Sequence, residues 1–352
     1  MIYVVESFDR GYILNSVIKK IIKYYLIWKI NKKWSGKEIN FCSRIYSDIF
    51  FGLNSVSCSC FSASPYGCPV LYRGDMNKFD VISYLKGLDK IMSLNSTGKT
   101  LCHQCPFFKK QSVPKLNLAN NILNIIINNY LKCNADCIYC VISDKTKGEK
   151  YSVLPVIKNF YNDNLIKPKA IVTWGGGEPT MFPDFDETFT FLNKKETYQA
   201  INSSGIKFSQ TIADELPYGY VSIQVSIDSG TKEMYKKIKK VDAFDKVWDN
   251  IKQYSKSPEK VFIKYIIFSL NRHEDEIKEF INKCIWAGVK NIVIDCEMHS
   301  LNSIKKNELF TPIGQNEVDA AILLKKLALV NNINYEITRL WPQKYKNLIE
   351  ES

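Results

Sequence analysis

The sequence predicts an α/β fold: a partial (β/α)6 TIM-like barrel preceded by a small cysteine-rich metal-binding module. From about residue 120 onward, strand-like apolar runs alternate with helical ones six times. Before that, residues 40–112 break into short segments punctuated by Gly52, Pro65, Gly67, Pro69 and Gly74. Nine of the eleven cysteines lie between 42 and 140. The expected divisions are an amphipathic helical segment over 1–39, the cysteine-rich module over 40–115, the β/α array over 116–340 and a tail over 341–352.

Residues 12–30 place Leu14, Val17, Ile18, Ile21, Tyr25 and Trp28 at helical spacing among Lys19, Lys20, Lys23 and Lys29. Such a helix is expected to lay its apolar stripe on the body of the protein. The segment 40–112 offers little apolar material for a core of its own, so a bound metal is expected to stabilise it. Strands are read at 122–130, 170–174, 198–202, 220–228, 261–269 and 291–298 from their apolar runs and alternation. Helices are read near 152–164, 184–195, 208–216, 242–256, 274–287 and 315–331. Repeated β-α units imply a parallel sheet with right-handed crossovers, and six units fall short of the eight that close a full barrel. In such sheets reacting groups gather at the carboxyl ends of the strands.

With 352 residues and 45% apolar content the chain can bury a substantial core, so intrinsic disorder is a poor explanation of it. The net charge of +12 would suit an anionic partner, but the lysines are dispersed among Asn and Ile, so nucleic acid is not expected as a partner. With Glu6, Asp9 and Arg10 in the first ten residues a secretory signal is not expected there, and no uncharged apolar run approaches the ~18 residues of a transmembrane helix. A cytoplasmic location is therefore expected, where clustered cysteines act as metal or redox ligands. Cys284 and Cys296, isolated in a helical and a strand pattern, are expected to be small buried hydrophobes.

Cys133, Cys137 and Cys140 follow the first strand of the array. Three thiolates can hold three corners of a [4Fe-4S] cluster and leave the fourth iron open to a non-protein ligand; a zinc site or a redox trio could use the same spacing. Beyond the second strand comes "WGGGEPT", residues 174–180, whose glycines let the backbone approach a ligand closely. In the fourth strand Ser222, Gln224, Ser226 and Asp228 alternate with Val221, Ile223, Val225 and Ile227. That alternation predicts one wholly polar face, which suits the lining of a wet site. Lys264 and Asn271, on and just after the fifth strand, are further candidates to approach a ligand, or equally a surface lysine and a loop-capping Asn.

The C-x3-C-x2-C spacing with Tyr139 before the last cysteine, followed by Gly176, Gly177, Glu178 and Pro179, resembles the radical S-adenosylmethionine (radical SAM) superfamily. The resemblance covers about residues 120–300. It implies that Cys133, Cys137 and Cys140 bind a catalytic [4Fe-4S] cluster. It further implies that the Gly-Gly-Glu-Pro segment meets the amino group of S-adenosylmethionine, and that Ser226 and Asp228 lie near its carboxylate and ribose. Ser203, Ser204 and Gly205 stand where the family often has an Asn-containing turn, a departure that weakens this part of the match. The implied reaction is reductive cleavage of S-adenosylmethionine to a 5′-deoxyadenosyl radical that abstracts a hydrogen atom from the substrate, with flavodoxin or ferredoxin as the kind of electron donor. A peptide or protein is the expected substrate, to be oxidised, epimerised or crosslinked; a carbohydrate undergoing dehydrogenation or epimerisation is the alternative. A non-catalytic zinc- or RNA-binding protein is the alternative of another class.

Cys42, Cys58, Cys102 and Cys105 resemble the ligands of SPASM/twitch auxiliary-cluster modules, with Gly52 six residues before Cys58 and Cys60 and Cys68 as alternates. This implies a second [4Fe-4S] cluster, with structural zinc as the rival. Such modules usually follow the catalytic domain, whereas these cysteines precede it.

Overall fold

The computed structural model describes residues 2–58, 69–99, 102, 108–140, 142, 151–297 and 313–352, with side chains from residue 17 onward. Two compact units result: Met1–Asn129 with Glu149–Thr173 and Lys194–Thr197, and Tyr130–Gly148 with Trp174–Asn193 and Tyr198–Ser352.

The first unit begins with α1 (Ile2–Trp34), β1 (Glu38–Phe41), α2 (Arg44–Ser47), β2 (Asp48–Phe51), β3 (Ser55–Ser57) and β4 (Val70–Arg73). It continues with α3 (Val81–Ser96), β5 (Lys109–Ser112), β6 (Ile122–Ile127), α4 (Leu154–Asn162) and β7 (Ile166–Trp174, through Thr173). β1 and β5 pair antiparallel. The remaining strands run in the order β7-β6-β2-β3-β4, with β2 parallel to β6 from Asp48↔Asn124 to Phe51↔Ile127. The cysteine-rich segment therefore has a core, contrary to expectation: Phe41, Ile49, Phe51, Val56, Phe79, Tyr84, Leu85, Leu88 and Met92 are buried. Its apolar residues gain partners far away in sequence, which local composition cannot reveal. α3 starts where Asp80 accepts a hydrogen bond from Ser83 N at 3.0 Å, an N-cap.

The expected orientation of α1 is also overturned. Ile30 and Trp34 are buried, but Val17, Ile18, Ile21, Tyr25 and Trp28 are 44–63% exposed; the side chain of Leu14 lies outside the described residues. Carboxylates of neighbouring elements decide the orientation. Lys19 pairs with Asp80 at 3.6 Å, Lys23 with Asp163, and Lys33 with Asp89 at 3.2 Å. The Trp34 indole donates to Asp89 at 2.8 Å, and Asn31 makes reciprocal hydrogen bonds with the main chain of Leu116. Three such ion pairs are individually weak. Together with the buried Ile30 and Trp34 they fix which side of the helix faces inward.

The second unit is a set of β-α repeats. Its strands are β8 (Tyr198–Ser203), β9 (Val221–Ser226), β10 (Val261–Ile267), β11 (Asn291–Cys296) and β12 (Asn334–Ile337). Its helices are α5 (Phe185–Asn193), α6 (Gln210–Glu215), α7 (Lys232–Lys239), α8 (Phe244–Tyr254), α9 (Glu274–Ala287), α10 (Gln315–Val330) and α11 (Gln343–Glu351). All four strand pairings are parallel, in the order β8-β9-β10-β11-β12. One sheet face presents Ile223, Val225, Ile263, Tyr265 and Ile294, all buried under helices; the Tyr265 ring lies 4.7 Å from Phe280 of α9. Cys284 and Cys296 are buried as expected, and burial pushes both thiols well up from their usual value. The other face carries Asn202, Ser222, Gln224, Ser226, Phe262 and Lys264, which retain access to solvent. The two faces reproduce the alternation of the sequence up to Ser226.

Candidate functional site

The candidate site is built by the loop that bears the three cysteines, by the glycine turn that follows β7 and by the turns after β8 and β9. Cys133, Cys137 and Cys140 are half-buried, and none is in a disulfide. The loop backbone is held on both sides. Asp136 N donates to Lys239 O at 2.9 Å and Ile138 N to Ile238 O at 3.0 Å, tying the loop to the end of α7. Gly177 N donates to Tyr130 O and Glu178 N to Lys132 O, both at 2.8 Å. The glycine turn is thus pressed against the cysteine loop: a Cβ built on Gly177 would stand 2.1 Å from Lys132 O. The close approach expected of this glycine was to a ligand; the neighbour it meets in this structure is the main chain of the thiol loop.

Glu178 is 1% exposed and fully engaged. Its carboxylate accepts from Thr180 N at 3.2 Å, Thr180 Oγ1 at 2.7 Å, Ser203 Oγ at 3.0 Å and Ser204 N at 2.6 Å. Four donors satisfy a buried charge that would otherwise be costly. Pro179 opens a single 3-10 turn over Pro179–Met181. Ser204 Oγ donates to Asn134 Oδ1 at 2.7 Å, joining the turn after β8 to the cysteine loop. Glu178 and Ser203 therefore hold the site together, while Gly176, with φ +87°, shapes the turn.

Asp228 departs from its expected position. β9 ends at Ser226, and Asp228 sits beyond it with φ +58° and no exposure, so it does not continue the polar face. Its carboxylate accepts from Ile266 N at 2.8 Å, from Lys239 Nζ and from the Tyr139 hydroxyl. Lys239 also donates to the Tyr139 hydroxyl at 2.6 Å. Burial opposes the charge on Lys239, but Asp228 and the nearby Cys137 outweigh it, so its pKa is raised. Burial, followed by Asp228 and Cys137, pushes the Tyr139 hydroxyl well above its usual value. Asn271 is buried and donates to Asp228 O and Ile266 O at 2.9 and 2.7 Å, the loop-capping role. Ser226 remains half-exposed on the open face.

Sequence reasoning missed Lys239, hidden in a run of lysines, and Asn134 between the cysteines. It missed Asp295 too, although an acid inside the apolar run "NIVIDC" was a signal. Asp295 is 1% exposed and pairs with Lys264 at 2.6 Å, with Thr338 donating to the same carboxylate. Along the open face Gln224 donates to Asn202 at 3.0 Å, and Asn202 to Trp174 O at 3.1 Å.

The donor set suits an iron-sulfur cluster: three reachable thiols on one fastened loop, with soft ligands and no fourth cysteine among them. No group of three Cys, His, Asp or Glu side chains among the described residues is gathered tightly enough for a single metal ion. In the first unit Cys42 is half-buried, while Cys58 and Cys102 are buried, with Cys58 Sγ 3.7 Å from Pro69 O. Cys60, Cys68 and Cys105 lie outside the described residues.

Residues 127–284 match the Radical SAM superfamily. That stretch thus matches a radical SAM domain, and the α/β architecture with its parallel strands agrees with the partial (β/α)6 barrel expected from the sequence. Among individual relatives, molybdenum cofactor biosynthesis protein moc-5 of Caenorhabditis elegans is 28% identical over 160 residues, 43% of this chain and 26% of that protein. Mycofactocin maturase MftC of Mycobacterium tuberculosis (strain CDC 1551 / Oshkosh) is 26% identical over 114 residues, 32% of this chain and 29% of that protein. The structure of Streptococcus suis SuiB bound to precursor peptide SuiA aligns with a TM-score of 0.51 at 13% identity, covering 79% of this chain and 59% of that one. The matched part is therefore less than a third of either curated relative.

Proposed function

We propose that this protein is a radical SAM enzyme that modifies a peptide or protein, with Cys133, Cys137 and Cys140 holding a [4Fe-4S] cluster. The carrying observation is the three-thiol loop fastened by main-chain hydrogen bonds to the glycine turn. With S-adenosylmethionine, such a cluster supplies a 5′-deoxyadenosyl radical able to take a hydrogen atom from an unactivated C–H bond. The chain's own contribution is positional. The turn at Gly176 and Gly177 offers main-chain groups to the cofactor's amino group, and Glu178 with Ser203 keeps that turn in place. Tyr139, Lys239 and Asp228 hold the cysteine loop from the opposite side. Ser226, Gln224 and Lys264 give the open face polar groups that orient bound molecules.

A peptide substrate is supported by the relative named a mycofactocin maturase and by SuiB, whose structure contains a precursor peptide. Cys42, Cys58, Cys102 and Cys105 are proposed to bind an auxiliary cluster, with zinc as the rival occupant. The requirement for reduced thiols fits a cytoplasmic setting, where flavodoxin or ferredoxin would serve as electron donor.

The test is anaerobic reconstitution with iron and sulfide, then strong reductant and S-adenosylmethionine. Formation of 5′-deoxyadenosine that disappears in Cys137→Ala supports the assignment; wild-type protein that never forms it refutes the reaction. A mass change in a peptide encoded beside the gene would support the substrate class. Turnover of a small molecule in its place would overturn that part alone.

A further inference from the structure

α1 turns its apolar residues outward. Val17, Ile18, Ile21, Tyr24, Tyr25 and Trp28 recur at steps of three, four and seven, which lays them along one side of a helix. All six are at least 44% exposed. Exposed Lys20, Lys29 and Lys32 border them, and the Lys32 ammonium lies 4.9 Å from the centre of the Trp28 ring. Lys19, Lys23 and Lys33 are engaged elsewhere, in the ion pairs that set the helix on the first unit. Those pairs hold the apolar stripe in view of solvent, and a contiguous exposed patch of this kind marks a contact surface.

Charge decides what covers it. From residue 11 to residue 37 the chain has seven lysines and no Asp or Glu. A second copy of the same helix would set lysine against lysine with no carboxylate in either stretch to offset them. A layer of anionic headgroups meets every one of them favourably. Tyr24, Tyr25 and Trp28 suit that boundary, since each combines an apolar ring with a polar tip. None of the described helices is long and apolar enough to cross a membrane, so the contact runs along the surface.

We propose that the outward side of α1 rests on an anionic lipid surface, with Ile21, Tyr25 and Trp28 in the acyl boundary and Lys20, Lys29 and Lys32 on the headgroups. The experiment is flotation of the full chain with vesicles of phosphatidylcholine alone or with about one-third phosphatidylserine. Wild-type protein should float with the anionic vesicles and bind the neutral ones at least about tenfold more weakly. Ile21→Ser/Tyr25→Ser/Trp28→Ser should weaken anionic binding by about a hundredfold, and Lys20→Gln/Lys29→Gln/Lys32→Gln by about tenfold or more. These surface changes should leave circular dichroism and the melting temperature as in the parent; should the triple apolar variant lose either, Trp28→Ser alone replaces it. Equal flotation of parent and stripe variant overturns the proposal, as does failure of the parent to float. A dimer by light scattering that the stripe substitutions convert to monomer, without vesicle binding, assigns the stripe to a second copy and also overturns it.

Discussion

Gly177 and Glu178 adjoin in sequence and fail in different ways when changed. Gly177→Ala drives a methyl group into Lys132 O and the carbonyl carbon of Leu131, backbone atoms that can yield only by moving the cysteine loop. Overpacking of this kind costs about 1–3 kcal/mol. The variant should melt earlier and, after reconstitution, hold less iron than the parent, as a paired melting and iron assay would show. Glu178→Gln keeps the volume but replaces an acceptor oxygen with an NH2 group. One of the donors from Thr180, Ser203 and Ser204 then loses its partner, at about 1–3 kcal/mol. Urea denaturation should register that loss even in protein without iron, which separates a positioning residue from one needed only for turnover.

Among the elements, the end of α7 matters most for the site, because its last turn supplies both Lys239 and the carbonyls that hold the cysteine loop. Removing one member of a buried pair leaves the other charge uncompensated, which costs about 3–5 kcal/mol. Lys239→Met should therefore be strongly destabilised. The double variant Lys239→Met/Asp228→Asn should recover part of that loss, as a cycle of denaturation midpoints would measure. α7 itself escaped sequence reading: in "KEMYKKIK" only Tyr235 and Ile238 mark an apolar side, too few to set a period. β6 to β11 and their helices were legible because alternation and 3.6-residue spacing persist through them, while the four-residue β12 is too short to show either. Periodicity located α1 but not which side of it faces inward, since that depended on Asp80, Asp89 and Asp163 in other elements. Of the site, the cysteines and the glycine turn were legible as a motif. The placement of Asp228 was not, because a left-handed residue ends a strand without altering the hydrophobic pattern.

At the scale of the molecule, the family match over 127–284 leaves both the front end and the C-terminal elements beyond Cys284 outside it. The front end contains six cysteines, yet it is built on a sheet and helix with an apolar core. Cys102→Ala/Cys105→Ala should therefore stay folded and still form 5′-deoxyadenosine, while losing one of two clusters by iron and sulfide analysis. Stoichiometric zinc in the isolated protein, with one cluster per chain, would reject the auxiliary iron-sulfur assignment.

The fastening between the glycine turn and the thiol loop joins peptide group to peptide group, and side-chain identity at Leu131 and Lys132 is irrelevant to it. A randomised library at those two positions should keep its metal loading while the rim of the site takes on new shapes and charges. Proline at 177 or 178 would remove a donor and undo the joint whatever the surrounding side chains. The thiol loop is moored by the one part of a polypeptide that ordinary substitution leaves alone, so its lip can diversify without casting the loop adrift.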